Sequence, residues 1–125
     1  MLDTARPGAP RVEKAMAMTA LTRALMFLEE FRKLDAELPA QYAAALVIIA
    51  QNEGITQQDC AARLGASKSA IQRIFDRLGD RGALNIPGYE LIEVRTGALD
   101  ARRRQAFLTP KGRRFIQTLT HLIGE

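Results

Sequence analysis

Apolar residues recur along this chain first at helical spacing and later, briefly, in alternation, and the change marks its architecture. Over residues 12–37 two neighbouring stripes run at helical spacing, Met18, Leu21, Leu25 and Leu28 in one and Phe27, Phe31, Leu34 and Leu38 in the other. One core does not require that much apolar surface, so the extra stripe either widens the face turned to the core or meets a partner chain. Pro39 suits the first position of a second helix, which runs through "AQYAAALVIIAQ" toward Gly54 and, being apolar nearly all round, is expected to be central and buried.

The stretch "ITQQDCAARLGASKSAIQRIFDRL" reads as two helices rather than one. Thr56 caps the first, with Asp59 three residues on as a weak reciprocal partner. Gly65 ends it, because glycine enters the left-handed conformation without a steric penalty. Ser67 then caps a helix over 68–80. Beyond Gly82 the period shortens: "NIPGYE" is turn material, "LIEVR" a strand, "TGALDARRR" a polar loop and "QAFL" a second strand, which makes a hairpin with a charged tip. Thr109 and Pro110 supply the cap and first-turn proline of a last helix whose apolar face is Phe115, Ile116, Leu119, Leu122 and Ile123. Residues 1–11, with Pro7, Gly8 and Pro10, are expected to form a loose arm, leaving 12–125 as one domain with terminal helices for dimerisation.

Two short helices joined by a tight turn form a helix-turn-helix when small and apolar residues stand where they cross. Ala61 is small at the approach, Gly65 makes the turn, and Leu64, Ile71 and Ile74 fill the interface. The same residues would suit any tightly packed helical hairpin. What separates the two readings is the outer edge of the second helix, where Ser67, Lys68, Ser69, Gln72 and Arg73 are polar groups able to contact bases or phosphates.

Charge sharpens this. The chain of 125 residues carries a net +4, yet residues 1–94 are nearly balanced, whereas 95–125 hold seven basic groups against two acidic, or +5. Such a concentration suggests a localised polyanion contact, with a solvated basic face as the plainer alternative. The longest apolar run, 42–50, is far short of the roughly 20 residues of a membrane helix, and no leader pattern opens the chain, so a soluble cytoplasmic protein is expected. One cysteine, Cys60, and one histidine, His121, exclude an internal disulfide and give no metal-ligand spacing. Cys60 sits beside Ala61 where a small apolar group is wanted, so it reads as a buried, inert thiol.

A helix-turn-helix followed by a basic hairpin makes a winged helix, mainly α with a small β-hairpin wing, in the order α-α-HTH-wing-α. The run "LPAQYAAALVIIAQNEGITQQDCAARLGASKSAIQRIFDRLGDRGAL" together with "DARRRQAFLTPKGRRFIQTL" resembles the MarR-type winged-helix transcriptional regulators, most specifically at "DRLGDRGAL", at Asp100 with Arg102, and at "LTPKG". The resemblance implies a homodimer joined by its terminal helices and bound to double-stranded DNA. Ser67, Lys68, Ser69, Gln72 and Arg73 would face the major groove, Asp100 would support the wing, and Arg102 would enter or flank the minor groove. The family often releases DNA when a small molecule binds, which adds an effector to the expected partners. The segment 82–100 is longer than the family usually has, so either the wing is extended or "NIPGYE" has a separate task.

Phosphate neutralisation is expected from Arg95, Arg102, Arg103, Arg104, Lys111, Arg113 and Arg114. Gln72 suits bidentate reading of adenine and Arg73 of guanine, although either also suits phosphate. Arg77 and Arg81 are expected to pair with Asp76, Asp80 or the backbone. No cofactor or enzymatic activity is expected: phosphate-cradling glycine loops, metal spacing and a nucleophile beside a base are all missing. The expected function is a sequence-specific DNA-binding regulator acting as a repressor. The alternative is a winged-helix interaction or assembly module, as in a replication or phage-type complex.

Overall fold

Among the described residues the order of elements is five helices with a hairpin before the last. A computed structural model describes residues 9–82, 86–100 and 103–124, with backbone alone over 9–18. Helix α1 covers Ala9–Leu34. It therefore begins inside the stretch expected to be an arm. It stops before residue 37 because the Asp35 carboxylate accepts the Glu37 N–H at 3.0 Å and draws the chain out of the helix. Of its two stripes, Phe31 is buried and Phe27 and Leu34 pack on the core, while Leu21, Leu25 and Leu28 are more than half exposed at 64%, 56% and 54%.

Helix α2, Ala40–Gln51, buries Ala45, Leu46 and Ile49 at the centre of the molecule. Pro39 stands one position outside it, as the capping residue with extended backbone, and not as its first helical residue. Helix α3, Gln57–Leu64, starts where Thr56 Oγ1 accepts the Asp59 N–H and ends at Gly65, whose φ of 72° is left-handed. Helix α4, Lys68–Leu78, starts where Ser67 Oγ accepts the Ala70 N–H. Its inner face, Ile71, Ile74, Phe75 and Leu78, is at most 1% exposed.

Helix α4 ends two residues earlier than expected because the chain returns to it. Tyr89, Glu90 and Leu91 donate their N–H groups to the carbonyls of Arg77, Gly79 and Leu78 at 2.7–2.9 Å. "GYE" is therefore the strap that closes the C-terminal end of α4. Strands β1, Ile92–Thr96, and β2, Arg104–Leu108, pair antiparallel with Ile92 opposite Leu108 and Thr96 opposite Arg104. Gly54, Ile55 and Thr56 add a short third pairing on the far side of β2 through Ala106 and Gln105. Helix α5, Pro110–Leu122, is capped by Thr109, and its Phe115 ring meets Phe31 of α1 edge-on at 5.1 Å. Cys60 is fully buried, and burial pushes its thiol above the ordinary range, as an inert core residue requires. Among the described residues no helix is long and apolar enough to cross a membrane.

Candidate nucleic-acid interface

The outer edge of α4 stands on the buried face just described, so packing alone turns its polar side chains outward. Lys68, Ser69 and Arg73 are exposed over the first two turns, and no acidic residue occupies the first turn to offset the positive end of the helix. Ser67 is exposed too, but its hydroxyl is committed to the cap and lies 3.4 Å from that of Ser69. Gln72 differs from the others. It is half-buried, its oxygen accepts from Gln57 Nε2 at 3.0 Å, and its nitrogen donates to Asp76 at 3.1 Å.

The hairpin carries its arginines in three distinct settings. Arg95 is exposed, lies with its guanidinium 4.2 Å above the Phe107 ring, and reaches Glu93 at 3.3 Å. Arg103 is exposed at the tip, where its N–H bonds the Asp100 carbonyl at 3.0 Å and its carbonyl accepts the Gly97 N–H at 2.8 Å. Asp100 thus contributes a backbone acceptor to the tip turn. Arg104 points inward: it donates to Gln57 Oε1 at 2.9 Å and lies 3.6 Å from Asp76, with its side chain only 23% exposed. Arg102 lies outside the described residues.

Three further cations divide in the same way. Arg113 is paired with Glu53 at 3.0 Å, and Glu53 also accepts the Leu108 N–H, which with the guanidinium holds its carboxyl below the ordinary glutamate range. Lys111 and Arg114 are exposed. The sequence suggests Asp76, Asp80 or the backbone as the partner of Arg77, whereas its ion pair is with a different carboxylate. Arg77 sits 3.6 Å from Asp35 at the end of α1 and 4.9 Å from the centre of the Tyr89 ring, whose hydroxyl donates to the same carboxylate. Asp76 is engaged instead by Gln72 and Arg104. Gln57 was missed in the sequence because its partners lie 15 and 47 residues away; the pair Gln72 and Asp76, at i and i+4 on one helix, was the available clue.

No family model and no curated protein matches the chain by sequence. Solved structures do match by shape. The S. aureus MepR–DNA complex aligns over 90% of this chain and 82% of its own, at 19% identity and a TM-score of 0.65. MarR aligns over 89% and 74%, at 21% identity and 0.60. The fold is that of the MarR-type winged-helix regulators. PcaV of Streptomyces coelicolor, solved with its natural ligand, aligns over 95% of this chain and 74% of its own, at 22% identity and 0.55. The MarR-type fold places α3, α4 and the hairpin in the helix-turn-helix and wing positions, and α1 and α5 at the two chain ends.

Proposed function

We propose that this protein is a sequence-specific double-stranded DNA-binding transcriptional regulator of the cytoplasm, a repressor that works as a homodimer. One observation carries the reading. A helix buried along Ile71, Ile74, Phe75 and Leu78 presents Lys68, Ser69 and Arg73 to solvent beside a hairpin bearing exposed Arg95 and Arg103. That arrangement suits a major groove flanked by phosphates. The MepR structure solved with DNA shows a protein of this fold on that partner, which supports the reading. PcaV, solved with its natural ligand, supports adding a small-molecule effector.

In mechanism, Lys68, Arg73, Arg95 and Arg103 neutralise phosphates and release counterions, while base edges are read from Ser69 and Gln72. Four phosphate contacts in each protomer make about eight in a dimer, for a salt slope of roughly −7. Arg103→Ala is expected to flatten that slope by about two and to weaken binding to all duplexes alike. Selection of bound fragments from random duplex DNA should return a two-fold symmetric site with half-sites about 10 base pairs apart. Absence of any enriched sequence, with Arg103→Ala leaving the slope unchanged, would overturn the reading in favour of an assembly module.

A further inference from the structure

Four side chains from three elements close a ring between α4 and the wing. Arg104 on β2 donates through Nη1 to Gln57 Oε1 at 2.9 Å, Gln57 Nε2 donates to Gln72 Oε1 at 3.0 Å, and Gln72 Nε2 donates to Asp76 at 3.1 and 3.3 Å. Arg104 Nη2 returns to Asp76 Oδ1 at 3.6 Å. A guanidinium can only donate and a carboxylate can only accept, so the two ends fix which way each amide between them faces. Neither Gln57 nor Gln72 can turn over without setting two donors or two acceptors against each other.

The ring leaves Gln72 capacity to spare. Its amide oxygen keeps a second lone pair and its nitrogen a second hydrogen. Those are the two groups that an adenine edge requires, an acceptor for the exocyclic amine and a donor for the ring nitrogen. An amide free to turn over would present them in either order and discriminate less. Orientation set before binding also removes the cost of ordering a flexible side chain at the interface.

Resting on the DNA-binding reading above, we propose that Arg104, Gln57 and Asp76 are positioning residues that hold the Gln72 amide in one orientation and fasten wing and helix into one reading unit. Arg104 then serves the interface from inside, bonded to Gln57 and facing Asp76 across 3.6 Å, and not as a phosphate contact. The proposal separates Arg104 from its neighbour Arg103, which sequence alone treats as equivalent.

The test uses the 125-residue chain with Arg104→Gln, Asp76→Ala, Asp76→Asn and Gln72→Ala, alone and with Arg104→Gln and Gln72→Ala combined. Binding is measured across salt to the selected duplex and to duplexes altered at the base that Gln72→Ala affects. Arg104→Gln should leave the salt slope unchanged and cut discrimination at that base by about tenfold, toward the level of Gln72→Ala. In the Gln72→Ala background it should change discrimination no further. Asp76→Ala, which removes the acceptor beside Gln72, should reproduce the loss, whereas Asp76→Asn, whose carbonyl still accepts from Gln72, should lose less. A slope flattened by about two, with discrimination intact, would make Arg104 an ordinary phosphate contact and overturn the proposal. A separate readout needs no DNA: the side-chain amide NMR signals of Gln57 and Gln72 in the free protein should shift and exchange faster in Arg104→Gln. Unmoved signals would overturn the ring itself, whereas moved signals with no duplex bound by the unaltered protein would overturn the function on which the proposal rests.

Discussion

Gly112 shows how one absent side chain holds the hairpin to the last helix. It is the third residue of α5, where alanine would ordinarily favour the helix by about 1 kcal/mol. Yet a Cβ placed there would collide with the carbonyl oxygen of Leu91, whose backbone crosses directly over the first turn. Thr109 secures the crossing, donating its hydroxyl to the Glu90 carbonyl at 2.7 Å and its N–H to that of Leu91 at 3.1 Å. Glu90 itself takes a φ of 60°, a left-handed conformation unusual for a side-chain-bearing residue. The obstacle is backbone on both sides, so no rotamer change relieves it. Gly112→Ala should therefore lower stability by about 1–3 kcal/mol, the usual cost of overpacking, in denaturant or thermal unfolding. A variant more stable than the parent would show that the crossing is loose. The "LTPKG" signature thus has a mechanical reason: cap, first-turn proline and a glycine that admits the strap.

At the scale of elements, the hairpin is held at its base by the side-chain ring and by Glu53, which grips the Leu108 N–H at 2.9 Å and Arg113 at 3.0 Å. Asp35 performs a similar task at the other end of the strap, its carboxyl lowered first by the Glu37 N–H and then by Tyr89 and Arg77. Both carboxylates titrate below their ordinary values in the folded chain, so the unfolded chain binds protons first as pH falls. Their contribution to stability is complete above the unfolded values, near pH 4, and is lost as acidity passes down through the folded ones. Thermal midpoints should thus decline below about pH 4.5, and Glu53→Gln should flatten part of that decline. Parallel curves for the two proteins would remove Glu53 from the account. The helices were legible in the sequence because their signals are local: Thr56, Ser67 and Thr109 cap within three residues of themselves, and Gly65 turns the chain by its own conformation. The end of α4, the third pairing at Thr56 and the inward turn of Arg104 were not legible. Each is decided by a segment about ten to fifty residues away, and neither propensity nor periodicity carries that information.

For the whole molecule, charge and apolar surface point to different partners. Of the seven cations in residues 95–125, Arg104 and Arg113 are held in ion pairs with Asp76 and Glu53, so under the proposed function fewer groups are left for phosphates than the sequence suggested. The apolar surplus lies elsewhere, on Leu21, Leu25 and Leu28, spaced along one side of α1, with Ile123 exposed at the end of α5. Full burial of a leucine is worth about 1.5–3 kcal/mol, and a two-fold interface uses each residue twice. Because these leucines are already partly covered, the six together supply roughly 5–10 kcal/mol, enough to offset part of the cost of association. A dimer built on that stripe would also fix the distance between two α4 helices, which a half-site spacing of one helical turn demands. Leu25→Glu sets two carboxylates into the middle of the stripe without touching the core or the outer edge of α4. In sedimentation the variant should have half the mass of the parent, and on a two-half-site duplex it should bind far more weakly while its thermal midpoint in dilute solution changes little. A variant that sediments as a dimer would move the interface off α1, and a parent that is monomeric throughout would require the two half-sites to be read independently.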